Sequence, residues 1–285
     1  MQLPEDQYIK VGDVNIRYWQ VGELGSTVIL LHGGGGYIET WQDNIFDLAR
    51  YHQVYAFDMV GSGFSDKPKV SYTFDYLSQF TKDFMAALGI SSASLVGTSG
   101  GGAIALAFAL KFPNLLEKLV LTAVPVLGKE IALGLRLITV PILGELLSFP
   151  SRKILSAGCK QAVYNPDVVT DEVVEIAYRM AAQPGAQEAL LSLGRSHFNL
   201  LGVRSEVYQS FTEQLSTLCV PTLILWGKQD RLVPVAHAYA AAQRLPNARL
   251  HLFDHCGHWA AIEHPQEFNQ IILEFLSEDT RAIAV

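Results

Sequence analysis

Ser99 stands in Gly97-Thr98-Ser99-Gly100-Gly101, between the apolar run Ala93 to Val96 and the small-residue run Gly102 to Ala109. A G-x-S-x-G pattern at a strand-to-helix junction predicts a sharp, strained turn that lifts the serine hydroxyl above a sheet. At neutral pH that hydroxyl is a poor nucleophile and needs a base to take its proton, and imidazole titrates in the right range. His258, in Cys256-Gly257-His258-Trp259, is the candidate base. Asp230, closing Trp226-Gly227-Lys228-Gln229-Asp230, is the candidate carboxylate to hold the other ring N–H and stabilise the imidazolium. The oxyanion formed on attack needs preorganised donors, for which the backbone N–H groups of Gly34 and Gly100 are the candidates. Losing one such donor typically costs about 3–4 kcal/mol of barrier.

Each assignment has a competitor. Ser99 as an ordinary helix N-cap would not need flanking glycines. Asp254 is a rival acid, but it lies four residues from His258 on the same loop and is poorly placed to brace the ring from the far side. His255 is a rival base, although Gly257 suggests a backbone bent to present the later histidine. Cys256 reads as a small buried residue rather than a nucleophile. Asp58, opening Asp58-Met59-Val60-Gly61-Ser62-Gly63-Phe64-Ser65, reads as a turn carboxylate accepting local backbone hydrogen bonds. The run His32-Gly33-Gly34-Gly35-Gly36 lacks both G-x-G-x-x-G and a following Gly-Lys-Ser/Thr, so an oxyanion loop is preferred to a phosphate cradle.

These groups need elements to hold them. Tyr8 to Val21 alternates around Gly12-Asp13 as a hairpin, and Thr27 to Leu31 and Gln53 to Phe57 read as buried strands. Phe74 to Leu88 has helical spacing and stops at Gly89; Leu119 to Val124 is strand-like. After a break, Thr222 to Trp226 and Arg249 to Phe253 read as strands, and Val235 to Arg244 and Gln266 to Leu276 as helices. Alternation of this kind implies an α/β protein whose mostly parallel central sheet has helices on both faces. Ligands of such sheets bind beyond the carboxyl ends of the strands, where the glycine loop, Ser99, Asp230 and His258 all fall. Residues 126–208 break the rhythm with helical patterns, Val168 to Ala182 the clearest, and no convincing strand. They are expected to form a helical cap inserted into a core made of residues 1–125 and 209–285.

Hydrophobic residues make up 49% of the 285 and charged ones 17%, the balance of a packed globular protein. The net charge of -7 argues against nucleic acid or an anionic membrane as partner. Ile131 to Phe149 is the most apolar stretch, but Arg136, Pro141, Gly144 and Glu145 interrupt it below spanning length, so no membrane association is expected. Met1 to Lys10 is polar and acidic, without the regions of a signal peptide, and a cytoplasmic location follows as the default. Cys159, Cys219 and Cys256 are unevenly spaced, which suits neither a disulfide framework nor a zinc site. No metal or cofactor is expected, the partner is a small-molecule substrate, and a homo-oligomer is compatible with the sequence.

Jointly, H-G-G-G-G (32–36), D-M-V-G-S-G-F-S (58–65), G-T-S-G-G (97–101), W-G-K-Q-D (226–230) and C-G-H-W (256–259) resemble the serine-type α/β-hydrolase superfamily over nearly the whole chain. The resemblance implies the order nucleophile, acid, base and an α/β-hydrolase fold with a cap. Within the superfamily, the glycine-rich loop and Trp259 are similar to the carbon–carbon bond hydrolases that open meta-cleavage products of aromatic degradation. Those enzymes usually have Asn where this chain has Thr98, and a proline in the glycine loop where it has Gly36. Their cap arginine, which engages the substrate carboxylate, aligns with Ala177, with Arg179 two places on. Thr98, Trp259 and Arg179 are therefore the candidate substrate-binding residues.

Three readings follow. The first is hydrolysis of a small, largely apolar carbonyl substrate, an ester, through an acyl-enzyme on Ser99. The second is carbon–carbon hydrolysis of a vinylogous diketone, which expects Arg179 or another cap cation such as Arg195 to face Ser99. The third is a ligand receptor or binding module that reuses the fold. Haloalkane dehalogenases and epoxide hydrolases share the fold but use an aspartate nucleophile, so Ser99 sets them aside.

Overall fold

Strands β3 (Thr27–Leu31), β4 (Gln53–Phe57), β5 (Ala93–Thr98) and β6 (Leu116–Thr122) are almost continuously apolar because the sheet they form is covered on both sides. A hairpin of β1 (Gln7–Val11) and β2 (Val14–Val21) turns at Gly12 and adds to β4 antiparallel. The computed structural model describes residues 3–278. After the cap, in which β7 (Phe198–Asn199) and β8 (Gly202–Val203) pair separately, β9 (Thr222–Gly227) and β10 (Ala248–Phe253) complete the sheet. Its order is β1-β2-β4-β3-β5-β6-β9-β10, with β4 through β10 parallel.

Alternate side chains enter opposite layers, as the two-residue period of a strand requires. Ile29 and Leu31 join one core with the helices Phe74–Ala87 and Gly100–Lys111; Val28 and Leu30 join the other with the helix Pro265–Ser277. The helix Phe74–Ala87 begins where Thr73 accepts a hydrogen bond from the Tyr76 N–H.

Between β6 and β9 six helices form the cap insertion: 133–137, 143–147, 152–162, 171–181, 186–197 and 205–212. Two expectations need correction here. The pair β7 and β8 lies in a segment read as strand-free; two residues per strand leave no alternating pattern to see. The helix expected over 168–182 starts at Asp171, because Pro166 to Val168 make a 3-10 turn and Thr170 caps the helix by accepting from Val173 N–H. The apolar stretch from Ile131 forms two five-residue helices around Pro141. Among the described residues no helix is long and apolar enough to cross a membrane.

Two buried histidines stitch these parts together. His197, on the helix Ala186–His197, accepts from the Phe74 N–H through Nε2 (3.0 Å), donates to the Leu193 carbonyl through Nδ1 (2.8 Å), and stacks on Phe74 at 3.6 Å between ring centroids. His32, directly after β3, accepts from Met59 N–H at 3.1 Å and bonds the Gly33 carbonyl at 2.7 Å. Each ring must accept at one nitrogen, so each must stay neutral, and burial lowers both pKa values to about 4.

In the unfolded chain a histidine titrates near 6.5. Below that value the unfolded state binds protons that the folded state refuses, so stability is lost as pH falls from about 6.5 towards 4, by up to about 1.4 kcal/mol per pH unit for each ring. Urea unfolding is expected to show a lower midpoint at pH 5 than at pH 7. His197→Gln, which keeps an acceptor for Phe74 N–H, should reduce the difference; equal midpoints at the two pH values would contradict this account.

Candidate active site

Ser99 occupies the turn between β5 and the helix Gly100–Lys111 with φ 54° and ψ -119°, a conformation unusual for an L residue. Its N–H donates to the Thr122 carbonyl at 2.7 Å, which fixes the turn to β6. The glycines around it are required by close approach: a side chain at Gly101 would run into the carbonyl oxygens of Leu31 and His32, and one at Gly97 into the backbone of Gly101 and Gly102. The expected elbow is thus a place where three backbone segments touch.

The glycine loop lies directly over this turn. The position a Cβ would take on Gly33 is 3.2 Å from Ser99 Cβ, and that on Gly100 is 3.0 Å from the Gly34 nitrogen. Gly36 N–H donates to the Gly33 carbonyl at 3.0 Å, closing a turn through Gly35 at φ 69°. His32 holds the same carbonyl from the other side, a bracing role that sequence reasoning missed although the His-Gly pair marks it. Gly34 and Gly100, the two residues expected to supply oxyanion donors, therefore lie against each other.

His258 is 3% exposed and its Nδ1 lies 2.8 Å from Asp230 Oδ2. Asp230 is itself fixed by accepting from the N–H groups of Leu232 (2.8 Å) and Val233 (2.9 Å) through Oδ1. Nε2 of His258 has no partner among the described residues, and His258 lines the same cavity as Ser99. The competitors fall elsewhere. Asp254 is exposed and paired with Lys228, His255 is exposed, and burial pushes the Cys256 thiol up. Asp58 is fully buried, accepting from Ile38 and Phe64 N–H and from Arg17. Burial raises its pKa and the Arg17 charge opposes the rise.

The cavity, about 420 Å³, is bounded by the core strand ends on one side and the cap on the other. Thr98 and Trp259 line it, and so do Leu190, Leu193 and Met180 from the cap. Cys159 is also on its wall, its thiol pushed up to about 11 by burial. Arg179 is not, which corrects the expectation for that residue. Ala177 and Met180 turn inward, and Arg179 is exposed, its guanidinium 5.8 Å from the Phe64 ring centroid. Two residues along a helix rotate a side chain by about 200°, so with position 177 facing inward position 179 faces away. Arg195 is also committed elsewhere, donating to both Glu145 oxygens at 2.9 Å and to the Thr139 carbonyl at 3.2 Å. Among the described lining residues there is no Lys or Arg; Glu39 and Asp43 are the carboxylates.

A family model described as alpha/beta hydrolase family matches residues 28–271. The chain is 32% identical, over 98% of its own length and 94% of the other's, to 2-hydroxy-6-oxo-6-(2'-aminophenyl)hexa-2,4-dienoic acid hydrolase of Metapseudomonas resinovorans. The chain belongs to the α/β-hydrolase superfamily, in its meta-cleavage product hydrolase branch. It is also 30% identical to 2-hydroxy-6-oxo-2,4-heptadienoate hydrolase of Pseudomonas putida, over 95% of this chain and 96% of that one. A crystal structure of a meta-cleavage product hydrolase from Pseudomonas fluorescens IP01 superposes with a TM-score of 0.80 at 29% identity, covering 96% of this chain and 97% of the other. This α/β-hydrolase is an enzyme with a helical cap over a largely parallel sheet.

The hydrogen bond between His258 and Asp230 generates a direct test. Asp230→Asn keeps the size of the side chain but can no longer stabilise an imidazolium, and kcat is expected to fall about 10⁴-fold. Steady-state kinetics alongside far-UV circular dichroism check this; a folded variant with wild-type turnover would show that Asp230 is only a loop residue.

Proposed function

We propose that this α/β-hydrolase cleaves a carbon–carbon bond beside a ketone in a conjugated, vinylogous diketone. The observation that carries the reading is the 30–32% identity, over at least 95% of the chain, to hydrolases named for dienoate and dienoic acid substrates. It reverses the order expected from sequence, in which the ester came first.

The chemistry follows from the arrangement. Ser99 Oγ adds to the ketone while His258 Nε2 takes its proton, and Asp230 offsets the charge that then forms on the ring. The Gly34 and Gly100 N–H groups hold the oxyanion. When the adduct collapses, the carbon–carbon bond breaks and its electron pair passes into the second carbonyl through the conjugated system. That delocalisation is what makes carbon a leaving group at all. The proton held by His258 goes to the departing fragment, and water, activated by the same ring, then releases the acyl group as a carboxylic acid. Thr98 and Trp259 border the reacting centre, and the apolar cap wall receives the acyl substituent.

A second reading, hydrolysis of a small apolar carboxylic ester by the same groups, is favoured by one observation. A dienoate is an anion, and the described cavity lining offers it Glu39 and Asp43 but neither Lys nor Arg. Burying a carboxylate without a compensating cation is costly. An uncharged ester or an uncharged diketone avoids that cost.

Turnover of a conjugated diketone and of p-nitrophenyl esters of increasing acyl length separates the readings. The diketone is expected to be cleaved, and Ser99→Ala to lower kcat by about 10⁴-fold or more on every substrate that is turned over. Turnover of esters alone would leave the second reading in place of the first. Stoichiometric release without turnover would favour a binding module, and equal rates for wild type and Ser99→Ala would sink the serine mechanism.

A further inference from the structure

A carboxylate helps to fasten the loop that carries His258 to the cap. Glu263, at the end of the short helix Ala260–Glu263, accepts from the Gly257 N–H through Oε1 at 2.8 Å. Through Oε2 it accepts from the Tyr164 N–H at 2.6 Å and from Asn165 N–H at 3.4 Å. Gly257 precedes the histidine; Tyr164 and Asn165 follow the cap helix Arg152–Ala162. One side chain therefore binds two backbone segments that are far apart in sequence, using both of its oxygens.

Two further observations show how tightly those segments are joined. The His258 N–H donates to the Ala162 carbonyl at 2.6 Å, so the cap chain bonds the backbone of the histidine itself. A Cβ at Gly257 would collide with the Ala162 carbonyl oxygen and the Tyr164 nitrogen, so only glycine lets the two chains lie this close. The ring of His258 is fixed by Asp230, and the Asp230 loop bonds the backbone two residues earlier, where Cys256 N–H donates to Gln229 Oε1 and Gln229 N–H donates to the Cys256 carbonyl, both at 3.0 Å; neither bond reaches Gly257 or the His258 backbone. The Ala162 and Glu263 bonds restrain that backbone.

We propose that Glu263 is a positioning residue that sets His258 against Ser99 by locking the histidine loop to the cap segment 162–165. The inference rests on the reading of His258 as the base for Ser99. A carboxylate is suited to the task because it accepts at both oxygens and its charge strengthens both bonds. Glutamine has one acceptor oxygen and would turn an NH2 group towards the N–H donors of one of the two segments. Glu263→Gln therefore keeps at most one of the two attachments, and Glu263→Ala keeps neither. A shift of the ring by about 1 Å is enough to lower turnover by about 100-fold, while substrate binding in the apolar cavity is left nearly intact.

The test is the second-order rate of labelling by a fluorophosphonate, in which Ser99 Oγ attacks phosphorus, fluoride leaves and His258 takes the serine proton. It is paired with amide exchange at Gly257 and Tyr164 and with kcat and KM on the best substrate of the full-length protein. Glu263→Ala is expected to slow labelling and kcat by about 10- to 100-fold, with KM within about twofold and faster exchange at both amides. Glu263→Gln should fall between it and wild type, and it decides the matter if the alanine variant does not fold. Unchanged labelling and kcat with faster exchange would make Glu263 a purely structural tie, and a raised KM with unchanged kcat would confine its role to the cap. Either overturns the proposal. A wild type that is not labelled at all would overturn the Ser99 reading itself and this inference with it.

Discussion

Ser99 holds a backbone conformation that costs an L residue about 1–3 kcal/mol, and the structure around it leaves the chain no alternative. Its N–H is bonded to β6, the helix that follows is pressed against the end of β3, and the glycines at 97 and 101 admit no side chain. The sheet order, in which β5 lies between β3 and β6, is what brings these segments together. From that contact the glycine loop after β3 falls over the serine, and His258 after β10 lines the same cavity.

The strand-end residues were legible because each follows a short run rich in apolar residues, a pattern that places it at the carboxyl edge of a parallel sheet; β10, before His258, is the least regular, with Arg249 and His251 in an only partly buried strand. Gly34, Ser99, Asp230 and His258 all have this signature. Most strand and helix bounds are readable to within a few residues for the same reason. The start of β6 is read three residues late: Leu116 begins it, and Glu117 and Lys118 break the apolar pattern while remaining in the sheet.

The cap was legible as an insertion but not as a surface. Its helices show amphipathic spacing, yet which side chains reach the cavity depends on rotation about each helix axis and on partners distant in sequence. Arg179 illustrates the first: Ala177 faces inward, and no i+2 neighbour can share its face. Arg195 illustrates the second, since its fate is decided by Glu145, fifty residues earlier. Glu39 and Cys159, both on the cavity wall, carry no local signal, because neither has a spacing that distinguishes a pocket side chain from a core one.

The insertion point has a consequence for how such a protein can change over time. The chain leaves the sheet after Thr122 and returns at Thr222, so the cap side of the cavity wall is encoded between those residues and the side formed by the strand-end loops outside them. The candidate catalytic groups are encoded outside them. Mutations in the cap can thus reshape one side of the cavity while leaving those groups untouched. The segment 162–165 is the exception: its backbone bonds both Glu263 and the His258 N–H.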